Sequence, residues 1–174
     1  MAKVISMSLS TASIRKAIQE LEAYSQSLKQ RSDTLCLRIA ELIRNYAQEG
    51  FSSAVADTAI NRASKSANVE VTVEKRGDSA YAVVASGEDA VWVEFGAGVY
   101  YNGAAGSSPH PKGSELGFVI GGYGKGHGSR QVWGYMDSEG LVLTRGTPAS
   151  MPMYNAFVRA NGEIEQVARE VFGL

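Results

Sequence analysis

Eleven of the chain's 19 glycines fall in the 33 residues from Gly96 to Gly128. A stretch so poor in side chains cannot bury a core of its own, and Phe118-Val119-Ile120 within it are too few to change that. Any core must therefore be assembled from the residues on either side of this excursion. A segment of this length without periodic structure is functional or orders only against a partner. The sequence is read as a single domain over 1–174, with a long Gly-rich loop at 96–130. The loop separates a helical region (12–50) and a hairpin with its following motif (69–95) from a second hairpin and a C-terminal helix (131–174).

The first part begins with the clearest periodicity in the chain. Ile14, Ile18, Leu21, Ser25, Leu28, Ser32, Leu35, Ile39, Leu42 and Tyr46 are spaced alternately four and three apart, which draws one stripe along a helix. Serine interrupts the stripe at two successive positions, and Ser32-Asp33-Thr34 supplies good N-cap types just before Leu35. Two helices are expected, roughly 12–29 and 33–49, with Gly50 ending the second. Packing into the core and a coiled coil both fit such a stripe, and the serine layers favour the core. Residues 51–68 are small and polar, and read as a helix extension or a loosely held connection.

The period then changes to two. Val69, Val71 and Val73 alternate with Glu70, Thr72 and Glu74, Arg76-Gly77-Asp78-Ser79 turns, and Tyr81–Ala85 returns, which predicts a hairpin over 69–86. A second hairpin is expected from Gln131–Met136 and Leu141–Thr144, and a last helix from about Met153 to Phe172, kinked at Asn161-Gly162. Its apolar face would be Ala156, Phe157, Ala160, Ile164, Val167, Ala168 and Val171. This order predicts an α+β fold: an antiparallel sheet of about four strands, with the N-terminal helices and the C-terminal helix packed on one face.

Several chemistries fail on spacing. Gly121-Gly122-Tyr123-Gly124-Lys125-Gly126 lacks the Gly-Lys-Ser/Thr ending and strand-to-helix context of a phosphate loop. His110 and His127 are too far apart to preorganise a metal on one element. Cys36 is a lone cysteine, so neither a disulfide nor a cysteine-built metal site can form within the chain. A formal net charge of −1 does not suit a protein that holds nucleic acid by phosphate neutralisation. No signal-peptide core or membrane span is visible, so the chain reads as cytosolic when made, with no membrane partner. No catalytic, metal or cofactor residue is proposed.

Two segments remain that combine apolar anchors, one fixed polar group, and Gly or Pro where the backbone turns sharply. One is Trp92-Val93-Glu94-Phe95-Gly96-Ala97-Gly98. The other runs from Arg145-Gly146-Thr147-Pro148 to Pro152-Met153-Tyr154. A carboxylate flanked as Glu94 is must be paired. The backbone amides of Gly96–Gly98 or the Arg145 guanidinium would serve, and Glu94 is expected to tie its element to the Arg145–Pro148 turn. Met151, Met153 and Tyr154 would anchor the last helix or meet a neighbouring subunit.

With Val93-Glu94-Phe95-Gly96-Ala97-Gly98 after a strand pair, and Gly146-Thr147-Pro148-Ala149 leading to Met151-Pro152-Met153-Tyr154-Asn155-Ala156, the chain resembles a family of small bacteriophage morphogenesis proteins. These are described as tail-completion, head–tail joining or minor capsid proteins. The likeness runs through residues 12–172, although Gly50–Asn68 lacks the Pro…Thr-Gly…Leu segment of many relatives. The resemblance implies a virion neck protein made in the host cytoplasm, with no enzyme activity and no cofactor. It further implies a homo-oligomeric ring (hexamer or dodecamer) that contacts the head connector and the tail tube or terminator, with DNA only passing through the lumen. Two alternatives stand beside it: a tail-terminator ring, and, from another class, a small hydrolase using Glu94 with His110 or His127.

Overall fold

The computed structural model describes residues 6, 8–97, 100–101, 104–105, 108–119 and 132–173. The chain starts as one helix, α1 (Thr11–Ser53), rather than the two expected. Ser10 caps it, its side chain accepting from the Ser13 N–H at 3.2 Å. The cap-type residues at its middle are used otherwise. Thr34 bonds back to the Gln30 carbonyl inside the helix, and Asp33 turns outward to the hairpin described below. Gly50 does not end α1, which continues for another turn.

Two short strands follow, β1 (Val55–Asp57) and β2 (Lys65–Ser66), then the hairpin β3 (Glu70–Gly77) and β4 (Ala80–Ser86). The hairpin lies where the alternation placed it, with Val71 opposite Ala85 and Val73 opposite Val83. Its Arg-Gly-Asp turn is bound back to α1. Asp33 accepts from the Ser79 N–H (3.2 Å) and the Tyr81 hydroxyl (2.9 Å), and pairs with Lys75 (3.1 Å). The short helix α2 (Ala90–Phe95) comes next, then β5 (Tyr100–Tyr101) with β6 (Ala104–Ala105), and the hairpin β7 (Trp133–Asp137) with β8 (Gly140–Thr144). The final helix is divided into α3 (Pro152–Asn161) and α4 (Ile164–Phe172), with the break at Gly162 as Asn161-Gly162 indicated.

The fold is mixed α and β with antiparallel pairing, but among the described residues the strands form two-stranded units rather than one four-stranded sheet. The cause is visible at β8, whose free edge is occupied by the segment after β1. Ile60 N–H donates to the Leu143 carbonyl (2.8 Å), Thr58 N–H to Gly146 (3.0 Å), and Arg145 N–H to Thr58 (3.3 Å). Asp57 reinforces this seam: buried, it accepts from the Tyr135 hydroxyl at 2.8 Å and from the Thr144 hydroxyl. Burial and this bond hold the Tyr135 phenol above its ordinary pKa. The stretch 51–68 is therefore a bonded seam, not a loose connection.

The core gathers Ala47 and Phe51 of α1, Ala54, Ala56 of β1, Val69 and Val71 at β3, Ala90 and Val93 of α2, and Ala156 of α3. Phe51 is nearly sealed, and burying such a side chain contributes about 1.5–3 kcal/mol. From that centre α3 and α4 run back along α1. Pro152 meets Gly50, the Arg159 guanidinium lies 3.7 Å over the Tyr46 ring, the Tyr46 hydroxyl donates to Glu163 (2.7 Å), and Arg38 pairs with Glu170 (2.7 Å). The face of α3 that turns inward carries Pro152, Ala156 and Ala160. Phe157, expected on that face, is 57% exposed, because only small side chains fit where α3 approaches α1 closely.

Gly50 marks that approach. A β-carbon there would sit 2.8 Å from the Pro152 β-carbon, and a proline ring cannot swing aside. Gly50→Ala should lower stability by about 1–2 kcal/mol, overpacking outweighing the roughly 1 kcal/mol that alanine gains in a helix. Gly162→Ala, at helical φ −68° with no such clash, should raise it by roughly 0.4–1 kcal/mol. Chemical denaturation of both variants checks the pair of signs.

Asp33 gives a pH dependence. The Lys75 ammonium, then the Tyr81 hydroxyl, hold its carboxyl below the ordinary value of 3.8. A depressed folded-state pKa adds stability that is fully present above that value and is lost as pH falls through the folded one. Wild type should therefore exceed Asp33→Asn in stability at neutral pH. The gap should close in acid; an unchanged gap at the lowest pH that keeps the fold would refute the assignment.

Candidate functional site

The two motifs singled out in the sequence meet. Gly96, at φ 81°, closes α2 in a conformation that side chains avoid, its N–H returning to the Trp92 carbonyl at 2.7 Å. That turn aims Ala97 at Thr147, and the two exchange both backbone bonds, 2.9 and 3.0 Å. Pro148 favours the extended backbone that Thr147 uses in this bridge. The Thr147 hydroxyl donates to the Ala56 carbonyl (2.6 Å), and Gly146 N–H donates to the Thr144 hydroxyl (2.9 Å). Ser150 N–H then donates to the Val93 carbonyl at 2.9 Å, so the lead-in to α3 satisfies an acceptor at the end of α2.

Glu94 returns the favour. Met151, the residue before α3, is left-handed (φ 52°, ψ 47°) and offers no cap, and Pro152 at the first position of the helix has no N–H. The first free amides of α3 are therefore those of Met153 and Tyr154. They donate to the two oxygens of one carboxylate, Met153 to Glu94 Oε2 at 2.8 Å and Tyr154 to Oε1 at 2.9 Å. A carboxylate at a helix N-terminus gains from the macrodipole as well as from charge-assisted bonds. Glu94 is only 6% exposed, so these bonds also answer the cost of burying its charge. Its partner is thus not the Arg145 side chain, which is exposed and contributes its backbone N–H to Thr58 instead. Backbone amides at the start of a helix hold the carboxylate, while the Gly96 amide is taken up by the Trp92 carbonyl.

His110 completes the junction. Its Nε2 lies 3.3 Å from Glu94 Oε1, and its Nδ1 accepts from the Lys112 N–H at 3.0 Å. An accepting Nδ1 places the ring proton on Nε2, facing the carboxylate. The imidazole lies 4.4 Å from the Phe95 ring and edge-on to Tyr154, while Phe118 stacks on Phe95 at 4.4 Å and meets Trp92 edge-on. These contacts fasten residues 108–119 to α2 and α3, while Ser108 N–H to the Phe118 carbonyl and Phe118 N–H to the Gly113 carbonyl close the segment on itself. This part of the Gly-rich stretch joins an aromatic cluster; His110 is not the simple polar loop residue that its surroundings in the sequence suggest.

Of the motif residues, Trp92, Glu94, Phe95, Gly96, Arg145, Gly146, Thr147, Pro148, Pro152 and Tyr154 lie in or beside this junction, and Gly98 falls outside the described residues, as does His127. Asp57, Tyr135 and Thr144 were missed. An acid preceded by Val55-Ala56 carries the same signal that drew attention to Glu94. Among the described residues no group of three or more acidic, His or Cys side chains could hold a metal, and no helix is long and apolar enough to cross a membrane. A groove of about 390 Å³ opens along the α1–α3 seam, lined by Tyr46, Glu49, Pro152 and Arg159 among others, and neither Glu94 nor His110 lines it. Around the junction Val91, Trp92, Leu116, Phe157 and Val158 present apolar surface to solvent. No family model, curated protein or solved structure matches the chain.

Glu94→Gln replaces one acceptor by an amide donor aimed at a donor. The variant should lose about 2–3 kcal/mol in urea unfolding, against less than half of that for Arg145→Gln. Equal losses would assign the carboxylate to the wrong partner.

Proposed function

We propose that the chain is a structural neck protein of a bacteriophage or prophage, a tail-completion or head–tail joining component that assembles as a ring around the DNA channel. One observation supports this above the others. The residues that carry the family resemblance interlock as a brace, Ala97 with Thr147 and Glu94 with the start of α3, and the brace leaves apolar surface exposed at Val91, Trp92, Phe157 and Val158. Exposed apolar surface marks a protein contact where it forms a patch. The surface adjoins the root of the Gly-rich segment, which would meet adjacent subunits or the connector. The proposed partners are further copies of the chain, probed as hexamer or dodecamer, with the head connector and tail tube on either side. A cyclic ring of this kind joins two different surfaces of each subunit.

The hydrolytic reading gains the Glu94–His110 contact, but both carboxylate oxygens already hold α3 amides, and both side chains are closed off from solvent. The terminator reading shares the ring and differs in its place on the particle.

Electron microscopy of the purified chain should show closed rings, and Phe157→Asp should abolish them while leaving the melting temperature within about 2 °C, as surface substitutions do. Virions lacking the protein should accumulate finished heads and tails that fail to join. Tails of uncontrolled length would favour the terminator, and turnover by a protein that stays monomeric would overturn the structural reading.

A further inference from the structure

The N-terminal half of α1 carries an apolar strip that the rest of the described chain leaves open. Among the described residues, the long-range hydrogen bonds and ion pairs of α1 begin at Arg31, which donates to the Phe172 carbonyl, and continue through Asp33, Arg38, Tyr46 and Gln48. Before that point Ile14, Ile18, Leu21 and Leu28 are 38%, 49%, 55% and 37% exposed. Their four-and-three spacing is that of a seam between two helices. On one flank Ala17 is buried and Tyr24 is half-exposed; the other flank carries Arg15 and Glu22, both exposed.

We infer that this strip pairs with the same strip of a second copy, antiparallel, about a two-fold axis midway between Ile18 and Leu21. In that register Ile18 faces the other copy's Leu21, Ile14 faces Ser25, and Thr11 faces Leu28. Each large side chain toward the ends thus lies against a small one. On the flank that carries them, Arg15 of each copy falls beside Glu22 of the other, giving two symmetry-related ion pairs. A parallel pairing lacks both features: it sets Ser25 against Ser25 in the seam and turns Glu22 toward the buried Ala17. Charge and size complementarity therefore select the antiparallel second copy as occupant. The overlap from Thr11 to Leu28 spans about 27 Å, a small contact, and fits a reversible dimer. A contact related by a two-fold axis uses every residue twice, so single changes count double. This inference does not rest on the neck assignment, whose ring needs other surfaces.

Sedimentation equilibrium of the full chain, from roughly 1 μM to 1 mM, tests it. Wild type should pass reversibly from monomer to dimer. Leu21→Glu, which keeps a good helix former and should leave the circular dichroism unchanged, should weaken the dimer about a hundredfold or more, since two buried leucines are lost. Arg15→Glu should weaken it severalfold at low salt, and Arg15→Glu combined with Glu22→Arg should restore it. A wild type that stays monomeric throughout, or association that the double charge exchange does not restore, overturns the inference. Rings with no rescue would leave the neck reading standing alone, and rescue with no rings the reverse.

Discussion

The described fold turns on one carboxylate. Glu94 sits on a helix of six residues that could not hold its own shape, and its two oxygens answer the first two available amides of a helix that begins with proline. A short helix is marginal in water unless its neighbours fix it. Here the stabilisation is mutual: α2 supplies the cap of α3, and the lead-in to α3 supplies the donor that closes α2. Hydrogen bonds to a charged group are worth more than neutral ones, and burial strengthens them further. The same carboxylate reaches His110, so residues 108–119 of the Gly-rich stretch are fastened at the same point.

A second buried acid does comparable work at the other seam. Asp57 joins β1 to β7 and β8 across the long excursion, with the Thr58–Ile60 backbone occupying the edge of β8. Each acid sits where two distant parts of the sequence must be brought into register. Apolar packing at Phe51 and Val93 draws those parts together without direction, while the carboxylates set how they meet.

Local pattern made much of this legible. The alternation at Val69, Val71 and Val73 gave the first hairpin, Asp137–Gly140 the second turn, and Asn161-Gly162 the break between α3 and α4. The two motifs stood out as places where Gly, Pro and one acid coincide, and they do meet. What was not legible depends on partners far away in sequence. Ser32-Asp33-Thr34 looks like a helix start until Tyr81 and Ser79 arrive to claim Asp33, after which nothing interrupts α1. Gly50 looks like a helix end, yet it makes room for Pro152. Arg145 looked like the natural counterion of Glu94, but charge rules are blind to a helix N-terminus more than fifty residues away. The alternation of the strands likewise says nothing of which edges will pair, and the segment after β1 took the edge that a larger sheet would have used.

An uninterrupted α1 has a mechanical consequence. Its 43 residues make a rod of about 65 Å. One end carries the open strip around Ile18, and the other carries Gly50 pressed against Pro152, which directly precedes the two amides that Glu94 holds. With no break at Ser32–Thr34, nothing along the rod is built to absorb a bend or a twist. A partner that tilts the free end pulls directly on the joint where α3 begins, so contacts at Ile18 and geometry at Glu94 act as the two ends of one lever.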